Sequence, residues 1–226
     1  MKKKLIVLSG AGISAESGIQ TFRDGDGLWE NHRIEEVATP EAWERNPSMV
    51  LDFYNMRRQQ VINAQPNEAH FILAKLEKYF EVEIITQNID DLHERAGSQN
   101  VLHLHGEILK KRCTIDSKNI TSAEDIMQLE RSPKGGHWRP HIVWFGEEVP
   151  MLETAIQRTQ NADIFLVIGT SLLVYPAASL VEFTSDKCEK WIIDPKIPNH
   201  IPNNFHFIKE PATKGMREYV QRLNLI

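Results

Sequence analysis

The chain has 226 residues, 41% hydrophobic and 25% charged, with a net charge of −5. That is enough apolar material for one sizeable α/β domain or a large domain with a small insert, and it leaves no broad basic surface of the kind that binds nucleic acid. Two cysteines, Cys113 and Cys188, exclude a disulfide framework and any four-cysteine or three-cysteine, one-histidine zinc site within one chain.

Their sparse use fits a reducing cytosol. No apolar run approaches the roughly 18 residues of a membrane span, and the run after Lys2, Lys3 and Lys4 is too short for a signal peptide. The expectation is a soluble cytoplasmic protein that engages neither nucleic acid nor membrane.

Residues 5–8 read as the first strand, closed by Ser9 and Gly10. Gly10-Ala11-Gly12-Ile13-Ser14-Ala15 then fits G-x-G-x-x-G/A at a strand-to-helix turn. There, glycines permit close backbone approach and a helix N-terminus offers amide donors to a pyrophosphate. The same pattern also serves as a mere tight turn. The acidic residues that follow (Asp24, Asp26, Glu30) sit in a Gly-rich loop rather than at a strand end, which counts against hydride transfer. That loop, with Thr21, Phe22 and Arg23 at its start, reads either as a flap closing over a cofactor or as a solvated loop. Residues 24–65 are polar, aromatic and helical, with no second strand.

Residues 67–79 place Ala69, Ile72, Leu73 and Leu76 on one helix face, and residues 82–86 form the next strand. Its end, Gln87-Asn88-Ile89-Asp90-Asp91, gathers amides and carboxylates where a doubly wound fold keeps its site. Asn88 can orient a water or a ribose, and Asp90 can bond a carboxamide or face a developing cation. Asp90 or Asp91 serves equally well as the N-cap of a helix containing Leu92 and Arg95. His103-Leu104-His105-Gly106-Glu107 alternates, so both histidines face one side, as a general base, a metal pair or structural residues. Residues 110–140 are charged and poor in apolar runs, with a turn at 132–136. Helices over 151–160 and 177–184 and strands over 164–168 and 191–193 complete the alternation.

Strands alternating with helices predict a Rossmann-like doubly wound parallel sheet with a smaller inserted lobe. One domain is expected over 1–226, its core about 1–25, 66–109 and 141–226, and its small lobe about 26–65 and 110–140. A cleft between the lobes is the default ligand site.

The ordered set of Gly10 to Ile19, Thr21-Phe22-Arg23, Thr86-Gln87-Asn88-Ile89-Asp90, His103-Leu104-His105-Gly106, Val143-Trp144-Phe145-Gly146-Glu147 and Gly169-Thr170-Ser171 resembles the sirtuins, the NAD-dependent protein deacylases, from Leu5 to about Ala212. The resemblance is strongest to the bacterial branch grouped with desuccinylating and demalonylating enzymes. It implies that NAD is consumed as cosubstrate: an acyl-lysine displaces nicotinamide, and the acyl group ends on ADP-ribose. It further implies that His105 is the base, that Asn88 orients ribose or water, and that Asp90 holds the nicotinamide carboxamide. Gly10, Ala11, Gly12, Ala15, Glu16, Thr21, Phe22, Arg23 and Trp29 would wrap the pyrophosphate and reactive ribose, with Phe22 shielding the reaction from water and Arg23 near phosphate. Gln87 and Ile89 would join them, and Gly169, Thr170, Ser171, Asp194, Pro195, Lys196 and Ala212 would hold the adenosine half.

By the same resemblance Val143, Trp144, Phe145 and Gly146 pair with the substrate peptide as an added strand. Tyr54 and Arg57, at i and i+3 on one helix face, mark relatives that remove succinyl and malonyl groups, a guanidinium being a fitting partner for a distal carboxylate. On the bare pattern they are a solvated pair. The partners implied are acyl-lysine proteins, met by a monomer. A mono-ADP-ribosyltransferase and a non-catalytic NAD or ADP-ribose binding module remain alternatives, although His105, Asn88 and Asp90 are all present.

The sequence departs from the family at the structural zinc. Of the two cysteine pairs expected near 112–116 and 131–134 only Cys113 is present, with Asp116, Arg131 and Lys134 at the other positions. Cys113, Asp116, His137 and His141 make an unconvincing substitute, so no metal is expected. The lobe should then be held by packing, with Ile115, Ile120, Ile126, Met127, Leu129 and Trp138 as candidates.

Overall fold

Short runs rich in branched apolar residues, such as 5–8 and 164–168, suit strands covered on both faces, and these two stand side by side in the middle of the sheet. In a computed structural model, residues 2–21, 28–29 (backbone only), 32–116, 118–128, 130–196 and 204–225 are described. In chain order the elements begin with β1 (Lys4–Ser9), two single-turn 3-10 segments (Ala11–Ile13 and Ala15–Ser17), β2 (Leu28–Trp29) and β3 (His32–Arg33). Next come α1 (Ile34–Val37), α2 (Pro40–Arg45), α3 (Pro47–Asn63), α4 (Glu68–Leu76), β4 (Glu81–Thr86), α5 (Leu92–Arg95) and β5 (Val101–His103). β6 (Gly106–Cys113), β7 (Asn119–Thr121), β8 (Trp138–Ile142), α6 (Leu152–Gln160) and β9 (Ile164–Ile168) follow. A 3-10 segment (Ala177–Phe183), β10 (Glu189–Ile193), β11 (His206–Ile208) and α7 (Ala212–Arg222) complete the chain.

The main sheet has the order β11-β10-β9-β1-β4-β5, and every neighbouring pair is parallel. Alternate residues of its strands feed two cores. Leu5, Val7, Ile84, Leu166 and Ile193 pack with Leu73 and Leu76 of α4 and Met216 and Tyr219 of α7. Ile6, Leu8, Ile85, Phe165, Val167 and Ile192 pack with Ala155 of α6 and Ala177, Ala178 and Leu180. Each such side chain removed from water contributes about 1.5–3 kcal/mol, so these layers fix the relative placement of the strand ends. None of the helices among the described residues is long and apolar enough to cross a membrane.

The small lobe starts from well-capped helices. Pro40 and Pro47 stand at the first helical positions of α2 and α3, where a missing N–H costs nothing, and Thr39 Oγ1 and Asn46 Oδ1 accept from the amides of Ala42 and Met49. Its buried residues Val37, Val50, Phe53 and Tyr54 pack on Leu92, Ile108, Ile142 and Trp144. The charged stretch after residue 110 belongs to an antiparallel sheet of order β7-β6-β8.

Several expectations need correction. β5 and β11 extend the four anticipated strands to six; at three residues each they are too short to show a period. Residues 177–183 form a 3-10 rather than an α-helix. No α-helix follows β1 either: two 3-10 turns meet at Ser14, and the second closes at Gly18 in the left-handed region (φ 85°). No α-helix N-terminus therefore faces the strand ends, and the amides of Gly12, Ile13 and Ser14 are bonded to the carbonyls of Gly169, Gly10 and Ala11. Of the packing candidates, Ile126 and Trp138 are buried with Leu51 and Cys113, but Ile115, Ile120 and Met127 are exposed. Leu129 lies outside the described residues.

Candidate functional site

β1 and β9 are neighbours, yet the chain runs outward from β1 through β4 and β5 and returns to build β9, β10 and β11 on the other side. The order reverses between them, and a crevice opens beyond their carboxyl ends. Gly10 and Gly12 let these two exits approach. A Cβ on Gly12 would lie 2.7 Å from Gly169 Cα, and one on Gly10 the same distance from Thr170 Cβ. The Gly12 amide donates to Gly169 O at 2.8 Å.

A cleft of about 460 Å³ fills this crevice and reaches the small lobe. It is lined from β1 by Gly10, Ala11, Gly12, Ser14, Ala15, Glu16 and Thr21, and from beyond β4 by Gln87, Asn88, Ile89, Asp90 and His105. The β9 side supplies Gly169, Thr170, Ser171, Asp194, Pro195, Lys196 and Ala212; the small-lobe side supplies Tyr54, Arg57, Val143, Trp144, Phe145 and Gly146. The structure thus brings the anticipated residues together, except that Phe22, Arg23 and the side chain of Trp29 lie outside the described residues.

Asn88 and Asp90 are buried and share one partner. Ser14 Oγ donates to Asp90 Oδ2 at 3.0 Å and accepts from Asn88 Nδ2 at 3.1 Å. Asp90 Oδ1 also accepts from the Leu92 amide at 3.1 Å at the start of α5, whose N-cap is Asp91 without a side-chain cap bond, so Asp90 ties down the helix start while lining the cleft. Burial pushes the Asp90 carboxyl up, against the pull of the Leu92 N–H and the Ser14 hydroxyl. Ser14 lies inside the Gly10–Ala15 motif, whose pattern gives its side chain no role. A hydroxyl between glycine turns points nowhere in particular until Asn88 and Asp90 arrive from another strand.

His105 Nδ1 lies 3.0 Å from Gln87 O, which can only accept, so Nδ1 carries the proton and Nε2 is left as acceptor. Burial lowers the His105 pKa, with the Gln87 carbonyl resisting, so the ring is neutral near pH 7. His103 uses Nδ1 in the same way on Asn88 O, at 3.1 Å. Each ring thus commits one nitrogen to the loop, and no group of three metal-ligating side chains occurs among the described residues.

On the peptide side, Val143 and Phe145 donate their amides to His105 O and Ala38 O, and Trp144 donates its own to Glu147 Oε2. Residues 143–146 are not a strand, and with three successive amides used internally an added peptide would meet their carbonyls. Tyr54 and Arg57 are 1% and 4% exposed, which removes the solvated-face reading. Trp144 Nε1 donates to Tyr54 Oη at 3.1 Å, and burial pushes the Tyr54 hydroxyl up. Glu16 does more than line the cleft: its carboxylate accepts from the amide and hydroxyl of Thr213 at the start of α7.

A parallel sheet with its cleft at the switch point, and a neutral imidazole beside a buried amide–acid pair, define a Rossmann-like protein built for a nucleotide-type ligand. The chain belongs to the Sir2 family, whose profile it matches over residues 10–176. It is 52% identical over 223 residues to an NAD-dependent protein deacylase of Helicobacter pylori, covering 98% of this chain and 97% of the relative. It is 47% identical to one of Bacteroides thetaiotaomicron, covering 98% of each. Among solved structures, a Sir2 homologue mutant in complex with ADP-ribose superposes with a TM-score of 0.91 at 42% identity, covering 99% of this chain and 93% of that one. A Sir2 homologue–NAD complex gives 0.89 at 42%, covering 99% and 90%.

Proposed function

We propose that this chain is an NAD-dependent protein-lysine deacylase and that His105 is its base. The observation that carries the reading is the His105 tautomer: Nδ1 is spent on Gln87 O, and Nε2 is left to accept a proton beside Asn88 and Asp90. The site fits NAD. The close-packed glycines keep side chains from between the strand ends, and a buried carboxyl and a buried carboxamide stand where polar ligand groups need partners. When bound, NAD supplies an electrophilic ribose carbon bearing a leaving group, and a hydroxyl to receive the acyl group. Asn88, steadied by Ser14, orients the ribose or a water, and Asp90 accepts from the nicotinamide carboxamide. His105 takes the hydroxyl proton at Nε2, and Gln87 O stabilises the imidazolium so formed.

The acyl-lysine enters past residues 143–146, with the Trp144 indole beside it. Tyr54 and Arg57, buried at the cleft, suit a distal carboxylate, so the enzyme removes succinyl as well as acetyl groups.

A structural zinc does not fit this lobe. Cys113 Sγ donates to Ser132 Oγ at 3.1 Å and accepts from the Ile115 amide, while Lys134 pairs with Asp116 at 3.3 Å. Asp116, the carboxylate next to the remaining thiol, is already paired with the Lys134 ammonium, which opposes a divalent cation, and these contacts close the lobe instead.

The test is nicotinamide release from NAD after exhaustive chelation, with acetyl-lysine, succinyl-lysine or no peptide. Release that needs acyl peptide and is lost in His105→Ala is expected. Arg57→Met should lower kcat/KM for succinyl peptide about 10- to 100-fold and change the acetyl value less than about threefold. Release without peptide would overturn deacylation in favour of ADP-ribosyl transfer or NAD hydrolysis.

A further inference from the structure

The His-x-His sequence places a second imidazole beside the base, and its chemistry is different. His103 Nδ1 meets Asn88 O at 3.1 Å, and its Nε2 meets Glu94 Oε1 at 2.7 Å. A carbonyl and a carboxylate are both acceptors, so each ring nitrogen must donate, and the ring carries two protons. The His103 side chain is 9% exposed. The imidazole is thus largely out of water while the Glu94 side chain, 40% exposed, reaches it from the surface, and His103 is not among the residues that line the cleft.

We propose that His103, as an imidazolium strapped between Asn88 O and the Glu94 carboxylate, is a positioning residue that fixes the turn carrying Asn88 and Asp90. This rests on the reading that Asn88 and Asp90 handle the ribose and the carboxamide. The turn is short, and its other ties include the Asn88 amide on Thr86 Oγ1, the His105 ring on Gln87 O, the Ile108 amide on Ile89 O, the shared Ser14 hydroxyl and the Leu92 amide on Asp90. None of these holds the Asn88 carbonyl, so without His103 that carbonyl loses its partner and the peptide that carries the Asn88 side chain is less tightly fixed.

The charge has a second effect. Burial would lower the His103 pKa, but Glu94 outweighs it, with Glu107 and the Asn88 carbonyl adding to the rise. The positive ring in turn favours the ionised form of buried Asp90 and opposes protonation of its neighbour His93. Two histidines one residue apart thus hold opposite protonation states, His105 neutral to accept a proton and His103 charged to hold the turn. Deprotonation of His103 as pH rises breaks the strap on one side, which adds an alkaline descent to the activity profile.

The experiment compares wild type with His103→Ala, His103→Asn, Glu94→Gln and, as control, Asn88→Ala, with folding checked by thermal melts. Ring 15N–1H spectra at pH 7 should show both His103 nitrogens protonated in the wild type and one in Glu94→Gln, without NAD present. In His103→Ala, kcat should fall about 10- to 100-fold, the cost of misplacing a reacting group by about an ångström, with acyl-peptide KM changed less than about twofold. His103→Asn, whose amide still reaches Asn88 O, should recover part of that loss. Glu94→Gln, nearly isosteric and informative even if His103→Ala does not fold, should move the alkaline descent to lower pH.

A singly protonated His103 in wild type, or wild-type kcat in His103→Ala while Asn88→Ala is inactive, overturns the proposal alone. Full activity in Asn88→Ala overturns the site reading beneath it as well.

Discussion

At the scale of single residues, burial and one neighbour decide the charge of each histidine around the cleft. His105 is lowered by burial, so its neutral, proton-accepting form persists below the ordinary value of 6.5. The acid limb of kcat/KM should have its midpoint below pH 6.5, activity falling as pH drops through the lowered pKa; a midpoint at or above 6.5 would contradict the buried neutral ring. His70 is lowered by burial to about 4, and its edge meets His93, also driven well down, with 4.9 Å between ring centroids. In the unfolded chain both rings titrate near 6.5, so between there and their folded values the unfolded state binds more protons and stability falls as pH falls. The loss is about 1.4 kcal/mol per pH unit per ring. His103, raised by its ion pair, works in the other direction. Urea titrations at pH 6.5 and pH 5 should give a lower stability at pH 5, and His70→Gln should reduce that difference by about 2 kcal/mol. An unchanged difference would contradict the linkage.

At the scale of elements, side chains of β6, β8 and the loop after β8 fix the segment proposed to border the acyl-lysine entrance. Arg139 of β8 grips Glu147 with both terminal nitrogens (2.6 and 3.1 Å), donates to Ile142 O and stacks 3.3 Å from the Trp144 ring centroid. Glu147 also accepts from the Trp144 amide, and Arg112 lies 3.3 Å from it. Arg139→Met should raise acyl-peptide KM about tenfold and leave NAD KM within about twofold, since the loosened segment borders only the peptide side. Equal changes in both constants would place its effect elsewhere.

α7 meets β10 through Gly215, where a Cβ would come within 2.2 Å of Ile193 Cγ2. Gly215→Ala should cost about 1–3 kcal/mol by overpacking, read as a lower urea midpoint with unchanged slope. The residue is legible in the sequence only as an unfavourable helix position; the reason for it is the neighbouring strand.

At the scale of the whole molecule, the inserted lobe is proposed to rest on packing and hydrogen bonds, where the sirtuin resemblance implies a zinc site. Exhaustive chelation should therefore leave Tm unchanged within about 1 °C, whereas Trp138→Ala, opening the cluster around Cys113 and Leu51, should lower stability by about 3–5 kcal/mol. A chelator-induced drop in Tm would show that a metal holds the lobe after all.

What the sequence by itself determined follows from local pattern. Short runs rich in branched or aromatic residues at 5–8, 82–86, 164–168 and 191–193, alternating with helical stretches, suit strands between two layers of helices, so the doubly wound sheet was legible. The motifs after β1 and β4 were legible because a chain of this topology must present its strand ends on one side, whereas most other cleft-lining residues were named only by the resemblance to sirtuins.

Tertiary structure decided the rest, because it depends on distances between residues tens of positions apart. It decided that Ser14 bridges Asn88 and Asp90, and that Tyr54 and Arg57 turn inward rather than to solvent. It also decided which of two neighbouring histidines is neutral. His103 and His105 look equivalent in a row of letters. Only the approach of Glu94 to one ring and of Gln87 O alone to the other separates a charged strap from a free base, since protonation is set by the partner each nitrogen finds and by the water each ring has lost.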